Sequence, residues 1–181
     1  VFYAPATLLQ ETVRAPAVRL DSAVILQRHA NALLLAMYLR TQSEGIRVTT
    51  EIGSFMGAGN PANMGAKAPP VRNDRIINDF LNALKRVWPH ETAVSDALAL
   101  LARGTCLTEP SLLADRCITA FGDLQRRWVE EYTSIRSAET AAGGEKLTSA
   151  FYSNRARRMR QEFLLTDLAR RGFTPAYGFP V

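Results

Sequence analysis

The chain has little of what most catalytic sites are built from. Its 181 residues include two histidines and two cysteines, and neither type stands in a useful pattern. Cys106 and Cys117 have no second pair and no histidine close by in sequence, so the spacing of a zinc module is missing. Two buried free thiols in a reducing cytoplasm are the expected state. His29 sits in the most apolar stretch, with Arg28 beside it and no carboxylate one helical turn away, so nothing would orient its ring as a general base. His90 follows Pro89 and reads as a capping or surface residue. No serine or cysteine occupies a nucleophile elbow, and no acidic or histidine cluster has metal spacing. Glu130 and Glu131 are helical neighbours pointing about 100° apart, which makes them a solvated face rather than an acid–base pair. No catalytic residue and no metal ligand is expected on this chain.

Long apolar runs are missing as well. Ala23 to Leu39 is the most apolar stretch, but Gln27, Arg28, His29 and Asn31 interrupt it. A bilayer span needs about twenty nearly uncharged apolar residues, so no membrane association is expected and a cytoplasmic location is. The opening Val1-Phe2-Tyr3 has neither an initiator methionine nor a signal-peptide pattern, and the chain stops just behind RRGFTPAYGFPV, residues 170–181. These abrupt ends predict a piece of a larger multidomain protein. Its natural partners are then the rest of that parent chain or a partner subunit.

What is present is material for one helical domain covering 1–181: 47% hydrophobic residues, 22% charged, and a clear helical period over most of the length. Residues 1–20 carry Pro5 and Pro16 without a sustained period and read as a lead-in with a short helical turn at Leu8 and Leu9. Asp21-Ser22 offers cap chemistry for a helix from Ala23 to about Gln42, apolar over too wide an arc for a surface position. Ile76, Ile77, Phe80, Leu81, Leu84, Val87 and Trp88 form one continuous face of a second helix, which Pro89 ends. A third, from about Glu91 to Arg103, stops at Gly104 and pairs antiparallel with the second. With Thr108 as cap and Pro110 in its first turn, a fourth buries Phe121, Leu124, Trp128, Tyr132 and Ile135 before Gly143-Gly144 closes it. The last runs from about Glu145 to Arg171, turns Tyr152, Ala156, Met159 and Phe163 inward, and ends at Gly172. The expected fold is mostly α, an irregular bundle of four to five helices.

A glycine- and proline-rich loop over 45–74 interrupts that bundle. Gly53, Gly57 and Gly59 invite a phosphate-loop reading, but Asn60-Pro61 follows where a lysine and a hydroxyl residue are needed, so no nucleotide site is expected. Ile46 to Ile52 alternates loosely like a strand, without an identifiable partner. The loop is expected to be the most mobile part of the chain.

Charge is where a function first shows. The chain is net +5 with pI ≈ 9.6. Between Glu145 and Gly172 seven cations face three anions, which places most of that excess on one helix. Arg155, Arg157, Arg158, Arg160, Arg170 and Arg171 are the candidate nucleic-acid-binding residues. With the Tyr152 stripe inward, Arg157 and Arg158 point to solvent while Arg155 and Arg160 flank the stripe. The alternative is a solvated helix whose arginines lie along the surface.

The stretch from Glu162 through Arg170-Arg171-Gly172-Phe173 to Pro180 resembles part of the C-terminal half of large superfamily 2 DEAD/DEAH-box helicases of the Lhr-like and MrfA-like kind. RLDSAVILQRHANA, residues 19–32, is a second, weaker likeness, and together they cover about a quarter of the chain. Thr174 stands where that group more often has leucine. The resemblance implies a helical accessory region of an ATP-driven nucleic-acid translocase, supporting nucleic-acid binding or interdomain packing, with DNA ahead of RNA as the partner but the choice between them left open, and tied in some branches to DNA repair or phage defence. ATP and magnesium would belong to the parent motor, because this chain carries none of the motor motifs. The competing expectation is a non-catalytic helical scaffold or protein-interaction module.

Overall fold

The computed structural model describes residues 22–41, 51–58, 75–105 and 109–176. These residues form seven α-helices, with an isolated antiparallel bridge between Glu51 and Phe163. The fold is a mostly α, irregular bundle, as the periodicity predicts. The lead-in, Cys106, Thr108 and most of the glycine- and proline-rich loop lie outside the described residues.

Helix α1 (Ala23–Thr41) starts behind Ser22, whose carbonyl accepts the first helical bond from the Leu26 amide. Leu26, Ala30, Leu34, Leu35 and Tyr38 are buried, and α1 packs against both α4 (Thr92–Ala102) and α5 (Pro110–Ala141). Most of the wide apolar arc thus serves a helix with neighbours on more than one side, while Val24 and Ile25 at its start stand exposed. The long α5, about 48 Å at the usual rise, runs through the bundle. It buries Leu113, Cys117, Phe121, Leu124, Trp128, Tyr132 and Ile135, which repeat every three or four residues.

The second predicted helix is less regular than its sequence suggests. It is α-helical over α3 (Arg75–Asn82), then widens into a π turn (Ala83–Val87) and tightens into a 3₁₀ turn (Trp88–His90). Pro89 has no N–H to give the Lys85 carbonyl, so the preceding turn must find other partners. Trp88 stays buried through this change of register, while Val87, expected inward, is turned out and exposed.

Around Phe80 the helices meet in a ring cluster. Its centroid lies 5.1 Å from Tyr38, 6.2 Å from Phe55, 6.2 Å from Trp88 and 4.9 Å from Phe121. These tilted and edge-on pairings are the favourable ones for aromatic quadrupoles. Phe55 comes from α2 (Ile52–Phe55), inside the segment expected to be a mobile loop.

The structureless-loop reading is corrected over 51–58, which hold a buried helical turn. Ile52, Phe55 and Met56 are fully buried, and the Ile52 amide donates to the Glu162 carbonyl at 2.9 Å. The one extended contact at Glu51 therefore pairs with a residue more than a hundred positions away, and Ile52 opens a helical turn rather than closing a strand. Gly57 has φ +78, and the Ala58 amide reaches back to the Gly53 carbonyl at 2.8 Å, the wrap-around closure of a helix end. Gly53 has a different task, since a Cβ there would stand 2.8 Å from the Arg160 carbonyl oxygen. Among the described residues, the glycines that suggested a phosphate loop serve close packing and helix termination.

The last helix is also broken. It divides into α6 (Lys146–Gln161) and α7 (Leu164–Arg170), with Glu162 and Phe163 extended between them. The Glu162 carbonyl accepts from Ile52 instead of continuing the helix, and the break turns Phe163 outward, 54% exposed, where an inward position was expected. Leu164 takes the buried place.

Candidate nucleic-acid interface

Helix α6 follows the Gly143-Gly144 turn and folds back along α5, its main neighbour. Glu145 stands before its first turn, with Thr148 Oγ1 donating to Glu145 Oε2 at 2.7 Å. Ala156 and Met159 are buried on the inner side, and Tyr152 is half-buried against the same core. One inner face held by α5 leaves the opposite face to solvent.

That geometry separates the six candidate arginines. Arg155, Arg157 and Arg158 are exposed on α6. Arg157 Nη2 donates to Asn154 Oδ1 at 2.9 Å, and none of the three meets a carboxylate among the described residues. Arg160, expected to flank the stripe, is instead buried at the crossing with α2, where its Cγ and backbone lie against Gly53. Small size at position 53 lets the two backbones approach this closely.

Arg170 and Arg171 are engaged in ion pairs. Asp167 is fully buried, and its two oxygens accept from Arg170 Nη2 and from Arg171 Nε, the latter at 2.7 Å. Arg171 also donates to Glu131 Oε2 at 2.9 Å, which ties α7 to α5 and gives one of the two adjacent glutamates a partner. Burial pulls the Arg171 guanidinium down, but the hydrogen bond to Glu131 and the charge of Asp167 outweigh it, so its pKa is raised. These arginines hold the end of the bundle together. The spacing of charges alone did not distinguish them from the solvent-facing ones; Asp167 at i−3 and i−4 was the available signal.

The described parts of the two stretches singled out above, 22–32 and 162–176, meet in space. Asn31 Nδ2 on α1 donates to the Phe173 carbonyl at 2.9 Å, and Arg28 Nη2 would stand 3.1 Å from a Cβ at Gly172. Gly172, at φ +77, closes α7 with the Phe173 amide on the Leu168 carbonyl, and Phe173 is buried edge-on to Phe121 at 5.5 Å. Residues 177–181 lie outside the described residues.

Elsewhere the chemistry is quiet. Burial pushes the Cys117 thiol up to about 12, which leaves it a poor nucleophile. Trp88 borders two cavities: an apolar one of ≈ 240 Å³ walled by Leu84, Val94, Leu98 and Ile118, and a more open one of ≈ 390 Å³ beside Tyr38, Asp79 and Arg86. Neither lining contains a histidine or cysteine. The described residues hold no group of three or more histidine, cysteine or acidic side chains that could bind a metal, and no helix among them is long and apolar enough to cross a membrane. No family model, curated protein or solved structure matches the chain, so the role of the α6 face is read from its own residues.

Proposed function

We propose that this helical module binds nucleic acid through the outer face of α6, as an accessory region of an ATP-driven helicase or translocase of the kind its C-terminal stretch resembles. The observation that carries the reading is that Arg155, Arg157 and Arg158 of α6 are each exposed and none is paired with a carboxylate among the described residues. Arginines held in ion pairs have already spent their charge on the protein, whereas these can displace condensed counterions from a phosphate backbone. DNA repair or phage defence is the setting the resemblance suggests, and the motor with its ATP and magnesium would lie elsewhere in the parent protein.

A second reading, docking on another protein, is favoured by Leu147 and Phe151, which are 89% and 61% exposed on the same helix. Binding of a labelled oligonucleotide across a salt series separates the two. Changing Arg155, Arg157 and Arg158 to glutamine is expected to weaken binding to all sequences alike and reduce the log–log salt slope by about two to three. Folding stability should stay within about 0.5 kcal/mol, because the three side chains are exposed. Absence of binding by the parent chain at low salt, or an unchanged slope in the variant, would refute the nucleic-acid reading.

A further inference from the structure

We infer that the α6 face is shaped for single-stranded nucleic acid, with Phe151 as the platform on which a base stacks. The inference rests on the nucleic-acid reading above and adds which form of the polymer the face accepts. Leu147, Phe151, Arg155 and Arg158 fall within an arc of about 80° on the helix surface at the standard turn per residue. Phe151 is 61% exposed, on a helix that buries Ala156 and Met159. The exposed ring is nonetheless held in place. Tyr152 meets it edge-on at 5.3 Å and 75°, and Tyr152 itself packs against the core.

Charge complementarity selects the occupant. Arg155 lies one turn beyond Phe151, about 6 Å along the axis, and Arg158 about 10 Å. A base laid on the ring therefore places its neighbouring phosphates within reach of two long cations that meet no carboxylate among the described residues. An anionic polymer with free aromatic faces satisfies both features at once. In a duplex those faces are occupied by the adjacent base pairs, so only an unpaired strand offers one to Phe151. Arginines alone would not discriminate between the two forms.

The test compares single strands of about twelve nucleotides, deoxythymidine and uridine, with a duplex of equal length, by fluorescence anisotropy at fixed salt. Phe151→Ala and Phe151→Leu are expected to weaken single-strand binding roughly 5- to 150-fold and leave duplex binding unchanged, since leucine keeps apolar bulk without a π-face. Loss on both strands, or on one sugar alone, supports the inference, the second case also naming the strand preferred. Phe151→Trp should retain binding. Trp88 and Trp128 are 4% and 1% exposed, so the new indole would be the solvent-facing one, and a saturating single strand should quench it. Full single-strand affinity in Phe151→Leu, equal losses on single strand and duplex, or an unquenched Phe151→Trp would each overturn the stacking role while leaving the charge-based reading intact. A self-associated or protein-bound state that Phe151→Ala dissolves, with oligonucleotide binding unchanged, would overturn it in favour of protein docking. No binding to either form by the parent chain would remove both readings together.

Discussion

Adding one methyl group at Gly53 tests whether the supposed loop is part of the core. An ideal Cβ at this position would stand 2.1 Å from Arg160 Cγ, 2.8 Å from the Arg160 carbonyl oxygen and 3.0 Å from its Cα. A side chain can swing away, but two of these three atoms belong to the α6 backbone, so relief requires α2 and α6 to move apart. Overpacking of this kind costs about 1–3 kcal/mol. Against that stands the ordinary gain of alanine over glycine in a helix, about 0.5–1 kcal/mol. With backbone atoms in the clash the steric cost belongs near the top of its range, so Gly53→Ala should destabilise by about 2 kcal/mol and lower Tm by about 4–8 °C. Gly122→Ala on α5 is the matched control, since a Cβ there meets nothing within 4 Å. It should stabilise by about 0.5–1 kcal/mol, giving the same substitution opposite signs at the two sites. Thermal and urea unfolding followed by circular dichroism measure both. A neutral or stabilising Gly53→Ala would refute the close approach of α2 to α6, and with it the core assignment of residues 51–58.

Phe80→Ala should cost about 3–5 kcal/mol, because it empties the centre of the ring cluster, whereas Phe163→Ala should cost less than about 1 kcal/mol at its exposed position; equal losses in urea unfolding would contradict the break between α6 and α7. Burial and the nearby charge of Asp79 push the Tyr38 hydroxyl up to about 12 from its ordinary 10.0. Between these values the unfolded chain has released a proton that the folded one retains, so Tyr38 makes stability fall as pH rises through that window. Tyr38→Phe should flatten that part of the curve, and an unaltered slope in urea titrations from pH 9 upward would count against the burial. Cys117 should resist a thiol reagent in the native state at mildly alkaline pH and react only on unfolding, as its raised pKa and full burial require; native-state labelling at the rate of a free thiol would contradict this.

The legible part of this protein is local. The α5 stripe of Phe121, Leu124, Trp128, Tyr132 and Ile135 is visible as a period and is buried as a period. Gly104 and Gly172 both have the left-handed backbone expected just past a helix end. The end of the second helix at Pro89 was legible too, but not the π turn before it, because the missing N–H leaves open how the preceding carbonyls are satisfied. For the candidate site, composition located the basic helix, and its sequence placed Arg157 and Arg158 on the outside.

Sequence by itself determined the helices and most of their inward faces, because a helix's period and caps are set by residues a few positions apart. Only the tertiary structure decided which of the six arginines stay exposed and which are buried or ion-paired. Arg160 was buried by Gly53, Arg171 was bound by Glu131 as well as Asp167, and the α6 helix was broken where Ile52 claimed the Glu162 carbonyl. Most of these partners lie 40 or more residues away along the chain, beyond the reach of any local period. The side chains of α6 left exposed, Phe151, Arg155, Arg157 and Arg158 among them, are what those long-range contacts leave to solvent.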